Sequence, residues 1–376
     1  MPESYELITP TNLVGGVMET KTREDLARVG DIFQSRRVSR IILVHGTLMG
    51  SDALGWFGHW KTLAPGLSAE LKSAYKSVVD RMAGDRGNFS MEYANLLSEL
   101  LNQNSLQSKN TSAIKVERFH WTGENHHLGR ADAAVRLALH LIQLAELGEE
   151  RVLLLGHSHA GNVFALVTNL LEQESAGIGA FFEAASHFKV IDGRVDIAKW
   201  KVLESKLRES DWKRPKIDIV TMGTPVRYGW SSDGFENLLH FVNHHPVKGT
   251  EPFRAWVPQD PRQALAAANG EYGDLVQQSF IARTDFPPAY WSWDAWSANR
   301  KLRNLLEGSE LKNKRIWRFK QGRRVHDGGK TLLADYAIAD ETATDVAGHW
   351  IYTQTDWLAW HLNEIADRFY LTRESS

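Results

Sequence analysis

The most constraining feature of this chain is an apolar run that meets a helix across a very short turn. Val152 to Leu155 are uninterrupted apolar residues, which is typical of a strand buried on both faces of a parallel sheet. Beyond the turn, from Val163 onward, apolar residues recur at helical spacing. The turn itself, Gly156-His157-Ser158-His159-Ala160-Gly161, is rich in small residues that permit a sharp reversal. Such an elbow raises Ser158 at the sheet edge, where its hydroxyl could act as a nucleophile.

The turn departs at one position from the pattern Gly-x-Ser-x-Gly. Ala160 stands at the second glycine position, and Gly161 follows it. Alanine adds a single methyl group, so the elbow remains the prediction. The alternative is an ordinary strand–turn–helix in which Ser158 only caps the helix, a common position for serine. A nucleophilic serine also needs a base, an orienting acid and oxyanion donors, which the rest of the chain must supply.

Composition limits the class of protein. The chain has 376 residues, 43% of them hydrophobic, which is enough for a large core. Its formal net charge of −2, with acidic and basic residues mixed, does not indicate a nucleic-acid partner. The absence of cysteine excludes disulfides and thiolate chemistry. No histidine spacing of the kind found in His-Glu-x-x-His occurs, so we expect no metal and no other cofactor.

The same sequence indicates a cytoplasmic protein. The first 20 residues lack the basic and apolar regions of a signal peptide, although export without such a signal stays open. No apolar run reaches the length that spans a membrane, so no integral membrane segment is expected. The oligomeric state is left open.

Apolar periodicity predicts an α/β protein with a mostly parallel central sheet flanked by helices. The predicted strands are 40–44, 113–121, 152–155, 217–222 and 238–242, and the clearest helices are 91–101, 130–147 and 357–370. Residues 313–336 are predicted to form a hairpin that turns at Asp327-Gly328-Gly329. Two stretches, 176–215 and 244–308, break the alternation. We interpret them as cap-like insertions of a single domain, over the carboxyl edge of the sheet.

Oxyanion donors are expected at two places. The strand 40–44 ends in His45-Gly46-Thr47, well upstream of the elbow. Gly46 would let the backbone pass close to a substrate, so that the amide of Thr47, or of Leu48, can face a developing oxyanion. The second donor would be the amide of His159, the residue after the candidate nucleophile.

His349 is the candidate base. It follows the last predicted strand and precedes the final helix, which suits a loop that reaches over the sheet edge. His361 lies within that final helix and is expected to be packed or solvated. His157 adjoins the nucleophile and is expected to be structural.

The orienting acid is expected after the strand 238–242, but the residues that follow that strand contain no carboxylate. The acid must then come from the second insertion. Asp274, on a glycine turn before an apolar pair, is the first choice, and Asp285 is the second. Asp335, within a predicted strand, is the third and could instead be a buried structural acid.

These motifs resemble the α/β-hydrolase superfamily, and within it the bacterial lipases and esterases. The resemblance is carried by His45-Gly46-Thr47, by the elbow around Ser158, by Gly223-Thr224-Pro225 and by His349, in the order of the family. It implies an α/β-hydrolase fold and a Ser-His-Asp triad that hydrolyses carboxylic esters through an acyl-enzyme. Val226 stands where many relatives have histidine.

The substrate prediction is an ester with an apolar acyl or alcohol part. Leu48, Met49 and Trp56 follow the oxyanion strand and would line an apolar pocket, and Trp291, Trp293 and Trp296 lie in the second insertion. The same residues could instead be core. A phospholipase, thioesterase or amidase of the same fold, and a non-catalytic scaffold, are the alternatives. No phosphate-binding glycine motif follows a strand, which argues against a nucleotide-binding protein.

Overall fold

Seven strands form one all-parallel sheet in the part of the chain that the computed structural model describes. The described residues are 5–10, 20–47, 87–104, 113–172, 177–186, 196–209, 211–245, 273–274, 276–277, 293–307, 327–336 and 348–371. The strands are β1 (Tyr5–Ile8), β2 (Val38–Val44), β3 (Lys115–Phe119), β4 (Arg151–His157), β5 (Lys216–Met222), β6 (Asn237–Asn243) and β7 (Lys330–Ala334). Their order across the sheet is β1-β7-β6-β5-β4-β2-β3.

Helices cover both faces of the sheet. They are α1 (Thr20–Ser35), α2 (Met91–Leu101), α3 (His127–Glu146), α4 (Ala160–Leu170), α5 (Ile178–Ser186), α6 (Ile197–Arg208), α7 (Trp293–Glu307) and α8 (Leu358–Ile365). A π-helical turn, Ala366–Tyr370, continues α8. Among the described residues, no helix is both long enough and apolar enough to cross a membrane.

Two apolar cores lie between the sheet and the helices, one on each face of the sheet. On β4, Leu153 and Leu155 pack into a core shared with α1, α2 and α8, whereas Val152 and Leu154 pack against α3 to α7. Alternate residues of one strand thus enter opposite cores, because side chains of a strand point to opposite faces. The uninterrupted apolar run of the sequence reflects this burial on both sides, and the protein is of the α/β class.

The prediction of a hairpin over 313–336 is wrong, because its second strand pairs with other strands of the sheet. Strand β7 is hydrogen-bonded in parallel to β6 on one side and to β1 on the other. Both of its edges are therefore occupied, and no antiparallel partner can pair with it. Residues 313–326, the other half of the expected hairpin, lie outside the described residues.

In the first predicted insertion, α6 packs against α3. At one end, the Asp196 amide and the Trp200 indole both donate to Asp132 Oδ1, at 3.0 and 2.9 Å. At the other end, Lys206 bonds Glu146, the last residue of α3. In the second predicted insertion, Asn299 of α7 accepts a hydrogen bond from the Leu128 amide at 3.0 Å.

Asp132 makes the contact between α3 and α6 sensitive to pH. Burial raises the pKa of Asp132 to about 6, against the opposing effects of Arg136, the Trp200 indole and the Asp196 amide. Since the folded protein holds this proton more tightly, it loses stability as pH rises from about 4 to about 6. Asp132→Asn keeps the Oδ1 acceptor without the charge. We expect the free energy of unfolding of this variant to exceed that of the wild type by about 3 kcal/mol at pH 8 and to equal it at pH 4.

Urea unfolding at pH 4, 6 and 8 measures this difference. Asp196→Asn is the comparison variant, because its exposed side chain bonds the Lys199 amide and its charge raises the pKa of Asp132 less than burial does, so its change in stability with pH should be much smaller. A stability gain for Asp132→Asn that does not depend on pH would contradict the account.

Candidate active site

The elbow holds Ser158 in a backbone conformation that few non-glycine residues adopt. Its φ is 56°, in the left-handed region, between the end of β4 and the start of α4. Two hydrogen bonds fix it there: the Ser158 amide donates to Met222 O at 2.8 Å, and Thr224 Oγ1 donates to Ser158 O at 2.8 Å. A strained residue that its surroundings hold in place is typical of functional sites.

Ser158 does not cap the helix, so the alternative interpretation of the turn is not supported. The residue at the cap position of α4 is His159, and its side chain makes no capping bond. Ala160 is the first residue of the helix and is fully buried. The extra methyl group relative to the usual glycine is therefore accommodated inside the protein.

The predicted oxyanion strand approaches the serine closely. A Cβ atom placed on Gly46 would lie 2.8 Å from Ser158 Cβ, so only glycine fits at this position. The strand end is anchored by the Trp121 indole, which donates to His45 O at 2.9 Å. Beside it, Thr47 Oγ1 is buried without a hydrogen-bond partner among the described residues.

His349 and Asp274 form a buried hydrogen-bonded pair. The distance from His349 Nδ1 to Asp274 Oδ2 is 2.8 Å, and the Asp274 side chain is fully buried. The backbone amide of Gln277 donates to Oδ1 of the carboxylate at 2.8 Å, and the Tyr352 hydroxyl donates to Oδ2 at 2.8 Å. Because both oxygens are satisfied, the carboxylate is held in one orientation and can fix the imidazole ring.

The pair is assembled at the carboxyl end of β6. After a long excursion the chain returns there, where Gly273 bridges His244 and the Asp274 amide donates to Asn243 O at 2.9 Å. The Asn243 side chain also donates to Gly348 O at 2.9 Å. Gly348 has a φ of 64°, and a Cβ atom there would lie 2.3 Å from Gly273 O. A glycine thus precedes both the acid and the base, where the two loops touch.

His157 joins this pair to the elbow. Its Nε2 lies 2.8 Å from His349 O, and the two imidazole rings are 4.6 Å apart. Its Nδ1 lies 3.0 Å from Gly87 O. Burial, followed by the adjacent His349, lowers the pKa of His157 to about 3. The ring is therefore neutral at physiological pH, in keeping with the structural position expected for it.

Other predicted residues lie apart from the pair or outside the described residues. Asp335 Oδ1 bonds His245 Nδ1 at 2.6 Å, so this third candidate acid serves another histidine. His361 is packed in the core with its Nε2 2.7 Å from the Tyr336 hydroxyl. On α7, Trp293 is largely exposed and Trp296 is partly exposed. The residues outside the described part are Leu48, Met49, Trp56, Trp291 and Asp285.

Within the described ranges, no group of three or more histidines or carboxylates is placed so that it could hold a metal ion.

Sequence reasoning missed Tyr352, Asn243 and Gly87. Tyr352 and Asn243 are ordinary polar residues in sequence, and only the folded chain brings them to the acid. The glycines before Asp274 and His349 are a signal that the sequence does contain.

Tyr352→Phe is expected to destabilise the fold and to lower kcat by about 10-fold for a reaction in which the Asp274–His349 pair takes part. The hydroxyl donates to Asp274 and accepts a hydrogen bond from the backbone amide of Asn243 at 2.7 Å. Its removal leaves that buried backbone amide unpaired. A buried group left unpaired costs about 1–3 kcal/mol. Burial raises the pKa of Tyr352 well above its usual value, so the hydroxyl remains a donor at all working pH values.

Tyr336→Phe is the matched control. Tyr336 is also buried, with its pKa raised in the same way, but it bonds His361 and not Asp274. Steady-state kinetics and urea unfolding of both variants separate the two effects. Both should lose stability, and only Tyr352→Phe should lose kcat; equal kcat values would contradict the assignment.

No family model, curated protein or solved structure matches this chain significantly.

Proposed function

We propose that this protein is a serine hydrolase of the α/β-hydrolase fold that cleaves carboxylic esters with an apolar acyl or alcohol part. The observation that carries the proposal is the buried Asp274–His349 pair, bonded at 2.8 Å and linked through His157 to the adjoining serine, which has a φ of 56° on a strand–helix elbow. A serine nucleophile, a histidine base and an acid that orients the base are the three parts that this chemistry needs. The parallel sheet is of the right class for that fold.

The proposed reaction has two acyl-transfer steps. His349 Nε2 takes the proton of the Ser158 hydroxyl while the oxygen attacks the ester carbonyl, and a tetrahedral oxyanion forms. His349 then gives this proton to the departing alcohol oxygen as the carbon–oxygen bond breaks. Water repeats the sequence on the acyl-enzyme, which releases the acid and restores Ser158. Asp274 holds the Nδ1–H tautomer and stabilises the imidazolium that forms in each step.

The oxyanion donors in this proposal are the amides of Thr47 and His159. The closeness of Gly46 to Ser158 supports the first, because it brings the strand end of β2 against the nucleophile. The position of His159 directly after Ser158, at the start of α4, supports the second. Each donor of this kind typically contributes about 10²–10³-fold to the rate.

A panel of p-nitrophenyl esters of increasing acyl length tests the proposal. We expect turnover that rises with chain length, and turnover lost in Ser158→Ala. Phospholipid, thioester and anilide substrates run in parallel identify the alternatives of the same fold. If no member of the panel is turned over by the wild type at a rate above Ser158→Ala, the proposal is wrong and a non-catalytic scaffold is favoured.

A further inference from the structure

His157 is placed where it can control the position of the base. It is the last residue of β4 and directly precedes Ser158. Its ring is buried and lies between Gly87 and the segment that begins at Gly348. Through this one side chain, the nucleophile elbow is connected to the backbone of His349.

Gly87, on the other side of the His157 ring, is also hydrogen-bonded to the segment that carries His349. The Gly87 amide donates to Thr353 Oγ1 at 2.8 Å. A Cβ atom on Gly87, whose φ is 71°, would lie 2.7 Å from the Trp350 ring. His157, Gly87 and the segment 348–353 therefore form a closed set of contacts around the base.

The two ring nitrogens of His157 face two backbone carbonyls, but a neutral imidazole carries only one N–H. The ring is neutral, because its pKa is about 3. Only one carbonyl can then accept a hydrogen bond from it. The Nε2 atom lies 2.8 Å from His349 O and Nδ1 lies 3.0 Å from Gly87 O, so the single N–H can reach either carbonyl, depending on the tautomer.

We propose that His157 is a positioning residue, whose Nε2–H donates to the backbone carbonyl of His349 and holds the base against Ser158. This inference rests on the proposed function. The carbonyl belongs to the same residue as the catalytic imidazole, so a bond there limits the backbone movement that would carry the ring away. A displacement of about 1 Å can cost about 10²-fold in rate.

Two amide substitutions separate the two ring nitrogens. In His157→Gln the side-chain amide reaches the place of Nε2, and in His157→Asn it reaches only the place of Nδ1. We expect His157→Asn to lower kcat by about 10²-fold with KM little changed, and His157→Gln to stay within about 5-fold of the wild type. The readout is kcat and KM on the best ester of the panel, with urea unfolding of each variant.

His361 offers the matched control. It is as buried as His157, and burial lowers its pKa likewise to about 3, but it bonds Tyr336 away from the base. His361→Gln and His361→Asn should not differ in kcat. Histidine-selective ¹⁵N spectra add a readout independent of turnover: His157 should show a proton on Nε2 only, unchanged from pH 5 to pH 8.

The outcomes distinguish this inference from the proposed function. A wild-type protein without ester turnover would overturn both. If the wild type is active, equal kcat values for His157→Gln and His157→Asn would overturn the positioning role alone, as would a higher kcat for the asparagine variant. A proton on Nδ1 in the ¹⁵N spectra would also overturn it.

Discussion

Replacement of Ser158 by alanine is expected to lower kcat for ester hydrolysis by about 10⁶-fold, the largest effect of any single substitution in this protein. In the proposed reaction, the serine oxygen forms the bond to the acyl group. The proposal has His349 and Asp274 act through this oxygen, so that removing it should remove the contribution of all three together. Residual turnover would come from the oxyanion donors and binding alone.

The loss must be separated from unfolding. Alanine and serine experience similar strain at a φ of 56°, so Ser158→Ala should keep the stability of the wild type. Ser158→Gly should be equally inactive and about 1 kcal/mol more stable than the alanine variant, because glycine adopts this conformation without strain. Urea unfolding with pre-steady-state and steady-state assays measures both quantities. Activity that persists in either variant at more than about 1% of the wild type contradicts the account.

Asp274→Asn is expected to lower kcat by about 10⁴-fold with little change in KM. The carboxylate accepts the bond from His349 Nδ1 at 2.8 Å, and this keeps Nε2 free to take the serine proton. An asparagine of the same shape can present its NH₂ group to Nδ1, which favours the opposite tautomer. The imidazolium of the transition state also loses its counter-charge.

Two other carboxylates serve as controls for Asp274. Asp335→Asn changes an acid that bonds His245, and it should leave kcat within about 3-fold of the wild type. Asp285→Asn tests the second candidate from the sequence and should also leave kcat nearly unchanged, since His349 Nδ1 is already bonded to Asp274. A loss of kcat in Asp285→Asn with Asp274→Asn unaffected would reverse the assignment of the acid.

The strands of the sheet interior could be predicted because burial on two faces leaves a direct trace in the sequence. The run in β4 is apolar throughout, and its position was recovered within a few residues. Strand β1 was missed for the opposite reason. Tyr5–Ile8 is an exposed edge strand of four residues, and only its pairing with β7 in the folded chain makes it a strand. The error at 313–336 has the same origin, because parallel pairing between distant segments has no local signal.

The candidate site divides in a similar way. The elbow and the strand before Thr47 are local patterns, and both are present where the sequence indicated. Asp274 could be selected only among alternatives, because a long excursion separates it from the end of β6. In the structure, Asn243 brings the ends of that excursion and the loop of His349 together. Tyr352 and His157 act through such long-range contacts, which no spacing in the sequence reveals.

We propose Ser158 as the nucleophile that His349 and Asp274 activate. The most direct test is to react the protein with a fluorophosphonate, digest it and locate the adduct by mass spectrometry. We expect one equivalent of label on the peptide that contains Ser158, no label in Ser158→Ala, and much slower labelling in Asp274→Asn. Absence of label from the wild type, label on a different serine, or equal labelling of Ser158→Ala would contradict this proposal.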